Sequence, residues 1–164
     1  MKITKAELIE LGACKDGLER FIAQTNNTDE PVEVSSLVGG KNLYSDLLWL
    51  AGKKLTKERI VRFACDCALI NIEKIRLYTD KYEMISDFLS NPTGDTYAAY
   101  AAVRDAAVRD ADVDRAAACA AACAAYAAYA YAVRAAAVRA ARAADVAAAE
   151  NRDKVNELLK ELFA

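Results

Sequence analysis

The sequence contains no histidine, only two prolines and six glycines, and no long run of strongly hydrophobic residues. Without histidine, the chain lacks the usual general base, the Ser–His and Cys–His nucleophile pairs and the commonest metal ligand. Catalysis is therefore the least favoured class of function. We predict that the chain is not an enzyme and that it needs no cofactor.

The charge balance and the cysteine count argue against two further classes, nucleic-acid binders with an overall basic charge and secreted disulfide-linked proteins. The net charge is −2 with a pI near 5.3, so no overall basic field attracts nucleic acid. Charged residues are spread through the N-terminal stretch MKITKAELIELGAC, which does not resemble a signal peptide. The five cysteines are odd in number, and the spacings Cys65-x-Cys67 and Cys119-xxx-Cys123 are more typical of reduced thiols than of a secreted disulfide framework. We therefore expect a cytoplasmic protein.

The first 90 residues show the signals of several short helices. Thr4 and Glu7 have the Thr-x-x-Glu spacing of a capping box, and Gly12 is placed to end that helix. Thr56 is predicted to start a later helix. Its apolar positions recur at helical spacing: Ile60, Phe63, Ala64, Cys67 and Ala68. The segment VEVSSLVGGKN fits either a short helix or a turn-rich link. SNPTGD then interrupts the pattern, which divides the chain into an N-terminal helical domain (1–92) and an Ala-rich bundle (93–164).

The second part is dominated by alanine, at 29 of the 53 residues from Tyr97 to Ala149. Alanine is the strongest helix former, and neither glycine nor proline follows Gly94. A single helix over residues 95–149 would be roughly 80 Å long, which does not suit so short a chain. Residues 95–114 are acidic and residues 115–142 are basic, so we predict an antiparallel hairpin with a turn near residues 111–116.

The end of the chain predicts a docking helix with one apolar face. Asn151 is a candidate cap, and the apolar positions follow at helical spacing: Val155, Leu158, Leu159, Leu162 and Phe163. The predicted fold class is therefore all-α. It comprises an N-terminal multi-helix domain, Ala-rich antiparallel helices (a hairpin or bundle) and an amphipathic C-terminal helix.

A five-residue repeat places Val103, Val108 and Val113 at equal steps, which raises the alternative of a pentapeptide β-helix. Alanine is poor in strands, and most of the other repeat positions are alanine. On an α-helix, five residues advance about 140° past a full turn, so the valines do not share a face. We favour the helical interpretation.

A zinc site and a membrane span are two further possibilities, and each has a simpler alternative. Cys65, Cys67, Cys119 and Cys123 could form a four-thiolate zinc site, but their spacings are not Cys-x-x-Cys. Buried free cysteines are the simpler explanation, so we predict no metal site. The uncharged run from Ala116 to Val133 has 18 residues, the minimum for a membrane span. Because alanine is only weakly hydrophobic, we favour a buried bundle helix and no membrane partner.

The larger residues of the Ala-rich part are the candidates for partner binding. Tyrosine and arginine are enriched at protein-binding hot spots, and aspartate could form an acidic contact face. An alternative is that these tyrosines and arginines bind nucleic acid or a nucleotide. A third hypothesis is self-association through the alanine faces, which would give a homo-oligomer. The candidate residues are Tyr126, Tyr129, Tyr131, Arg134, Arg139, Arg142, Asp105 and Asp110.

Three N-terminal stretches, LIELGACKDGLERF, LLWLAG and RFACDCA, followed by an alanine tract, resemble a loose group of uncharacterised phage and bacterial proteins. The tail is similar to alanine-rich putative immunity proteins of polymorphic-toxin systems. This resemblance implies phage or toxin-conflict biology and no catalytic motif. We therefore predict a non-enzymatic protein-binding module, a phage-encoded accessory, immunity or anti-defence (inhibitor) protein that acts on a host or bacterial protein.

Overall fold

The computed structural model describes residues 1–70, 72–77, 82–92 and 149–164. Within these ranges the chain is mostly helical, with six α-helices, two 3₁₀ helices and one two-stranded sheet. The all-α prediction is therefore confirmed for the part described. The predicted Ala-rich hairpin, its turn near residues 111–116 and the five-residue repeat lie outside the described residues. The division of the chain at residue 92 stays a prediction.

The elements follow one another with short connections. The strands β1 (Lys2–Ile3) and β2 (Val32–Glu33) pair antiparallel. The 3₁₀ helices span Val34–Leu37 and Ile72–Leu77. The α-helices are α1 (Lys5–Glu10), α2 (Lys15–Thr25), α3 (Tyr44–Lys54), α4 (Lys57–Leu69), α5 (Tyr82–Ser90) and α6 (Ala149–Leu162).

The predicted capping box at the start of α1 is present. Thr4 Oγ1 accepts the Glu7 backbone N–H at 3.2 Å, and the Glu7 carboxylate accepts the Thr4 backbone N–H at 2.9 Å. The hydrogen bond from the Thr4 backbone is the main reason why the pKa of Glu7 lies below its ordinary value. Gly12 follows α1 with φ +80°, the left-handed conformation that ends many helices. The sequence signals therefore placed both ends of α1 correctly.

Helix α4 lies at the centre of the core because it packs against α3, α5 and α6. Every residue of its predicted apolar face is buried, and Thr56 is the residue before its first turn, as expected. Val61 and Cys65, on another side of the helix, are buried as well. A helix with neighbours on several sides buries more than the single stripe that periodicity predicts.

The C-terminal helix α6 is part of the same core. Val155 and Leu159 are completely buried, and the Arg59 guanidinium donates a hydrogen bond to the Leu162 carbonyl at 2.8 Å. The predicted docking face is thus confirmed. The prediction that Asn151 caps this helix is wrong, because α6 already begins at Ala149 and Asn151 is buried inside it. Alanine and glutamate are strong helix formers and extend the helix beyond the asparagine.

Candidate functional site

A cleft of about 500 Å³ opens between residues of α1, α2 and α3. Its volume lies within the usual range of ligand pockets, about 300–1,000 Å³. The lining includes six buried apolar side chains from five separate elements: Ile3, Leu8, Phe21, Leu37, Leu47 and Leu50. The cleft also contains seven residues with polar or thiol groups: Cys14, Asp16, Arg20, Asn42, Ser45, Asp46 and Trp49.

Arg20 on α2 and Asp46 on α3 form an ion pair, and both residues line the cleft. Arg20 Nε donates to Asp46 Oδ2 at 2.7 Å, and its Nη2 donates to Asp46 Oδ1 at 2.8 Å. This two-point geometry is the strong form of an arginine–carboxylate contact. The hydrogen bond to Asp46 raises the pKa of Arg20 above its ordinary value, so the guanidinium stays charged. The pair therefore connects the middle of α2 to the first turn of α3.

Asp46 also caps its own helix, since its Oδ2 accepts the Leu43 backbone N–H at 2.9 Å. We expect Asp46→Ala to lower the free energy of unfolding by about 1–2 kcal/mol, because it removes this cap and leaves Arg20 without its partner. Urea unfolding followed by circular dichroism measures the loss. Asp46→Asn keeps an oxygen for the Leu43 N–H and should lose less. Equal stability of the alanine variant and the native protein would contradict this role.

Cys14 lies at the start of α2, where its Sγ accepts the Gly17 backbone N–H at 3.4 Å. It is exposed and contributes to the cleft, whereas Cys65 and Cys67 are completely buried. The chain has no histidine that could act as a base for the Cys14 thiol. Of the three cysteines that the structure describes, Cys14 is therefore the one whose thiol is accessible in the cleft.

A network around Gln24 fixes the side chain of Asn42. Gln24 Oε1 accepts the Lys41 backbone N–H at 2.7 Å and the Asn42 Nδ2–H at 2.9 Å, while Gln24 Nε2 donates to the Ser36 carbonyl at 3.2 Å. A Cβ on Gly40 would collide with the Gln24 amide, so this network requires glycine there. The amide group of Asn42 is thereby oriented with its nitrogen on Gln24 and its oxygen on the opposite side.

The predicted partner-binding residues lie outside the described residues. These are Tyr126, Tyr129, Tyr131, Arg134, Arg139, Arg142, Asp105 and Asp110, and their role stays a prediction. The cleft was not predicted from the sequence. Its only local signals are an acid in the first turn of α2 and another in the first turn of α3, Asp16 and Asp46, which normally indicate helix starts.

The alternatives of a zinc site and a membrane span fall partly outside the described residues, because Cys119, Cys123 and the run from Ala116 to Val133 lie there. Cys65 and Cys67 are buried in the core, as expected for small apolar side chains. Across residues 1–70, 72–77, 82–92 and 149–164, no three potential metal ligands cluster together. In the same ranges, no helix combines the length and hydropathy needed to cross a membrane.

No protein-family model, curated protein or solved structure matches this chain. The geometry of the cleft and the composition of the sequence are therefore the features that bear on function.

Proposed function

We propose that the chain is a non-enzymatic protein-binding module whose cleft receives a side chain or short segment of a partner protein. The observation that carries this proposal is the 500 Å³ cleft with its apolar lining and its polar groups. Apolar pockets with a few fixed polar groups are the usual form of a binding site. A partner side chain of the size of leucine or phenylalanine would bury its surface there and gain about 1.5–3 kcal/mol.

Residues in and beside the cleft support a protein partner. Trp49, a residue type enriched at binding hot spots, contributes to the cleft wall and is only half-buried. The Lys53 Nζ atom lies 5.8 Å from the centre of the Trp49 ring. Leu43 is 49% exposed and lies in the chain between Asn42 and Ser45, which both line the cleft. An apolar cleft beside an exposed leucine and a tryptophan is typical of a surface that a partner covers.

The chemistry of the cleft supports binding rather than catalysis. Of its ionisable side chains, Arg20 and Asp46 are committed to each other. Cys14 and Asp16 remain, and the chain has no histidine to serve as a base. Neither a nucleophile with its base nor a pair of carboxylates in an apolar setting is formed by these groups.

The biological setting that we propose rests on the sequence. The N-terminal resemblance to phage and bacterial proteins supports an accessory, immunity or anti-defence protein that acts on a host or bacterial protein in the cytoplasm. The alternatives are a nucleic-acid or nucleotide binder that uses the Tyr/Arg residues, and a self-associating structural module. Each of them predicts a different outcome of the experiment that follows.

The test compares partner capture with the cleft open and with the cleft blocked. A tagged protein carrying Cys119→Ala and Cys123→Ala keeps Cys14 as its exposed cysteine, since Cys65 and Cys67 are buried. We expect it to retain a stoichiometric protein from a bacterial lysate, identified by mass spectrometry. Attachment of a bulky maleimide to Cys14 should abolish this capture. The control is the same protein with Cys14→Ser, which treatment with the reagent should leave able to capture the partner.

Other outcomes would favour the alternatives. Equal capture by the labelled and unlabelled proteins would show that the partner does not use the cleft. Retention of nucleic acid alone, lost steeply as salt rises, would support the nucleic-acid alternative. A mass that rises with protein concentration in light scattering, without any other protein bound, would support self-association.

A further inference from the structure

The charged side chains of the cleft are two acids and one base, so their charges do not cancel. Arg20 and Asp46 neutralise each other through two short hydrogen bonds. Asp16, the third charged residue of the lining, is exposed and interacts with Arg20 only at longer range, since it makes no ion pair or hydrogen bond within the part of the chain that the structure describes. Its carboxylate complements the positive end of α2, where it occupies the first turn. The cleft therefore carries one net negative charge.

The second observation is an acceptor without a donor. Asn42 is only 9% exposed and lines the cleft. Its backbone N–H and its Nδ2 both bind Gln24 Oε1, which fixes the orientation of the side-chain amide. Among the described residues, nothing donates a hydrogen bond to Asn42 Oδ1. A buried carbonyl oxygen normally accepts a hydrogen bond, so Asn42 Oδ1 can accept one from an N–H group of a ligand in the cleft.

We infer that the cleft selects a basic segment of the partner, with an apolar side chain in the cleft, a lysine or arginine at Asp16 and an N–H group at Asn42 Oδ1. This inference rests on the proposed function and adds the chemistry of the partner. An acidic segment would place a carboxylate near Asp16, where the two like charges repel each other, although its N–H groups could still reach Asn42. Complementary charge of this kind contributes more to the choice of partner than to the affinity.

The test uses three tripeptides that differ only in charge, each acetylated and amidated: Lys-Phe-Lys, Gln-Phe-Gln and Glu-Phe-Glu. Trp49 is the only tryptophan of the chain and lines the cleft, so its fluorescence reports occupancy directly. We expect the lysine peptide to bind more tightly than the glutamine peptide, and the glutamate peptide to bind least. The preference for lysine should shrink as salt is added, since exposed charges are screened.

A variant of Asp16 and a matched control test whether this carboxylate causes the preference for lysine. Asp16→Asn should weaken binding of the lysine peptide by about two- to fivefold, the usual effect of one exposed ion pair, and should leave the glutamine peptide unchanged. The matched control is Glu30→Gln, which removes an exposed acid outside the cleft and should change neither affinity. Circular dichroism checks that both variants keep the native fold.

The results separate this inference from the proposed function. Equal affinity for the three peptides, with the fluorescence signal lost after maleimide attachment to Cys14, would overturn the charge preference and leave the cleft as a binding site. The same follows if Asp16→Asn has no effect on the lysine peptide. Failure of every peptide to change Trp49 fluorescence at millimolar concentration would overturn the inference, and the capture experiment would then decide the proposed function by itself.

Discussion

Replacing Leu159 by alanine is expected to lower the free energy of unfolding by about 2–5 kcal/mol, the usual range for a buried leucine. Leu159 lies on α6, is completely buried and belongs to the core that α4 organises. Alanine would remove three carbon atoms and leave a cavity between helices that are about 90 residues apart in the sequence. Urea unfolding followed by circular dichroism at the helical wavelength measures the change.

The control for this prediction is Lys154→Ala on the same helix. Lys154 is exposed, so its replacement should change the free energy of unfolding by no more than about 0.5 kcal/mol. If α6 is part of the common core, Leu159→Ala should shift the single unfolding transition of the whole described core. Loss of the α6 signal alone, with α4 still folded, would instead show that the C-terminal helix is an independent element.

Helices with strong local signals were predicted correctly. The Thr4–Glu7 capping box, the start of α4 after Thr56 and the apolar face of α4 all depend on residues within two turns of each other. Such signals are visible in a single sequence because the interactions that they represent are local. The amphipathic face of α6 was found in the same way.

The small sheet was missed because its pairing is not local. Ile3 pairs with Val32 and Lys2 with Glu33, and each strand has only two residues, too few for an alternating pattern. VEVSSLVGGKN accordingly fits neither expected alternative completely. Its Val32–Glu33 part is the strand β2, and its Val34–Leu37 part is a 3₁₀ helix.

The cleft could not be predicted for the same physical reason. Arg20 and Asp46 are 26 positions apart, and Gln24 and Asn42 are 18 apart. Each is an ordinary polar residue of a helix or a loop when it is seen in the sequence alone. Only the folded chain brings Arg20 and Asp46 within hydrogen-bond distance, and only the Gln24 network fixes the Asn42 amide so that its Oδ1 has no donor among the described residues. Partner selection at this site would be a property of the fold rather than of a motif.

The stability of the protein is expected to fall as the pH rises above about 8.5, where unfolded cysteine thiols begin to ionise. Burial raises the pKa of Cys65 to about 12 and raises the pKa of Cys67 further. Asp66, adjacent to both, disfavours the thiolates as a smaller cause. The native protein therefore keeps both protons in a pH range where the unfolded chain releases them.

The sign of the effect follows from this difference in bound protons. Below about pH 8.5 the native and the unfolded states both hold the thiol protons, so the contribution of the thiols to stability is complete. Between pH 8.5 and about 12 the unfolded state binds fewer protons than the native state. Rising pH therefore stabilises the unfolded state relative to the native state. Each thiol would contribute up to ~1.4 kcal/mol of lost stability per pH unit. Urea unfolding between about pH 8 and pH 11, under reducing conditions, gives this slope.

The double variant Cys65→Ala/Cys67→Ala should be less stable than the native protein at about pH 8, yet its stability should depend less steeply on pH. The lysines and tyrosines that also titrate are the same in both proteins, so the difference in slope reports the two thiols. Parallel slopes for the two proteins would mean that the two thiols ionise as readily in the native core as in the unfolded chain, which would contradict their complete burial.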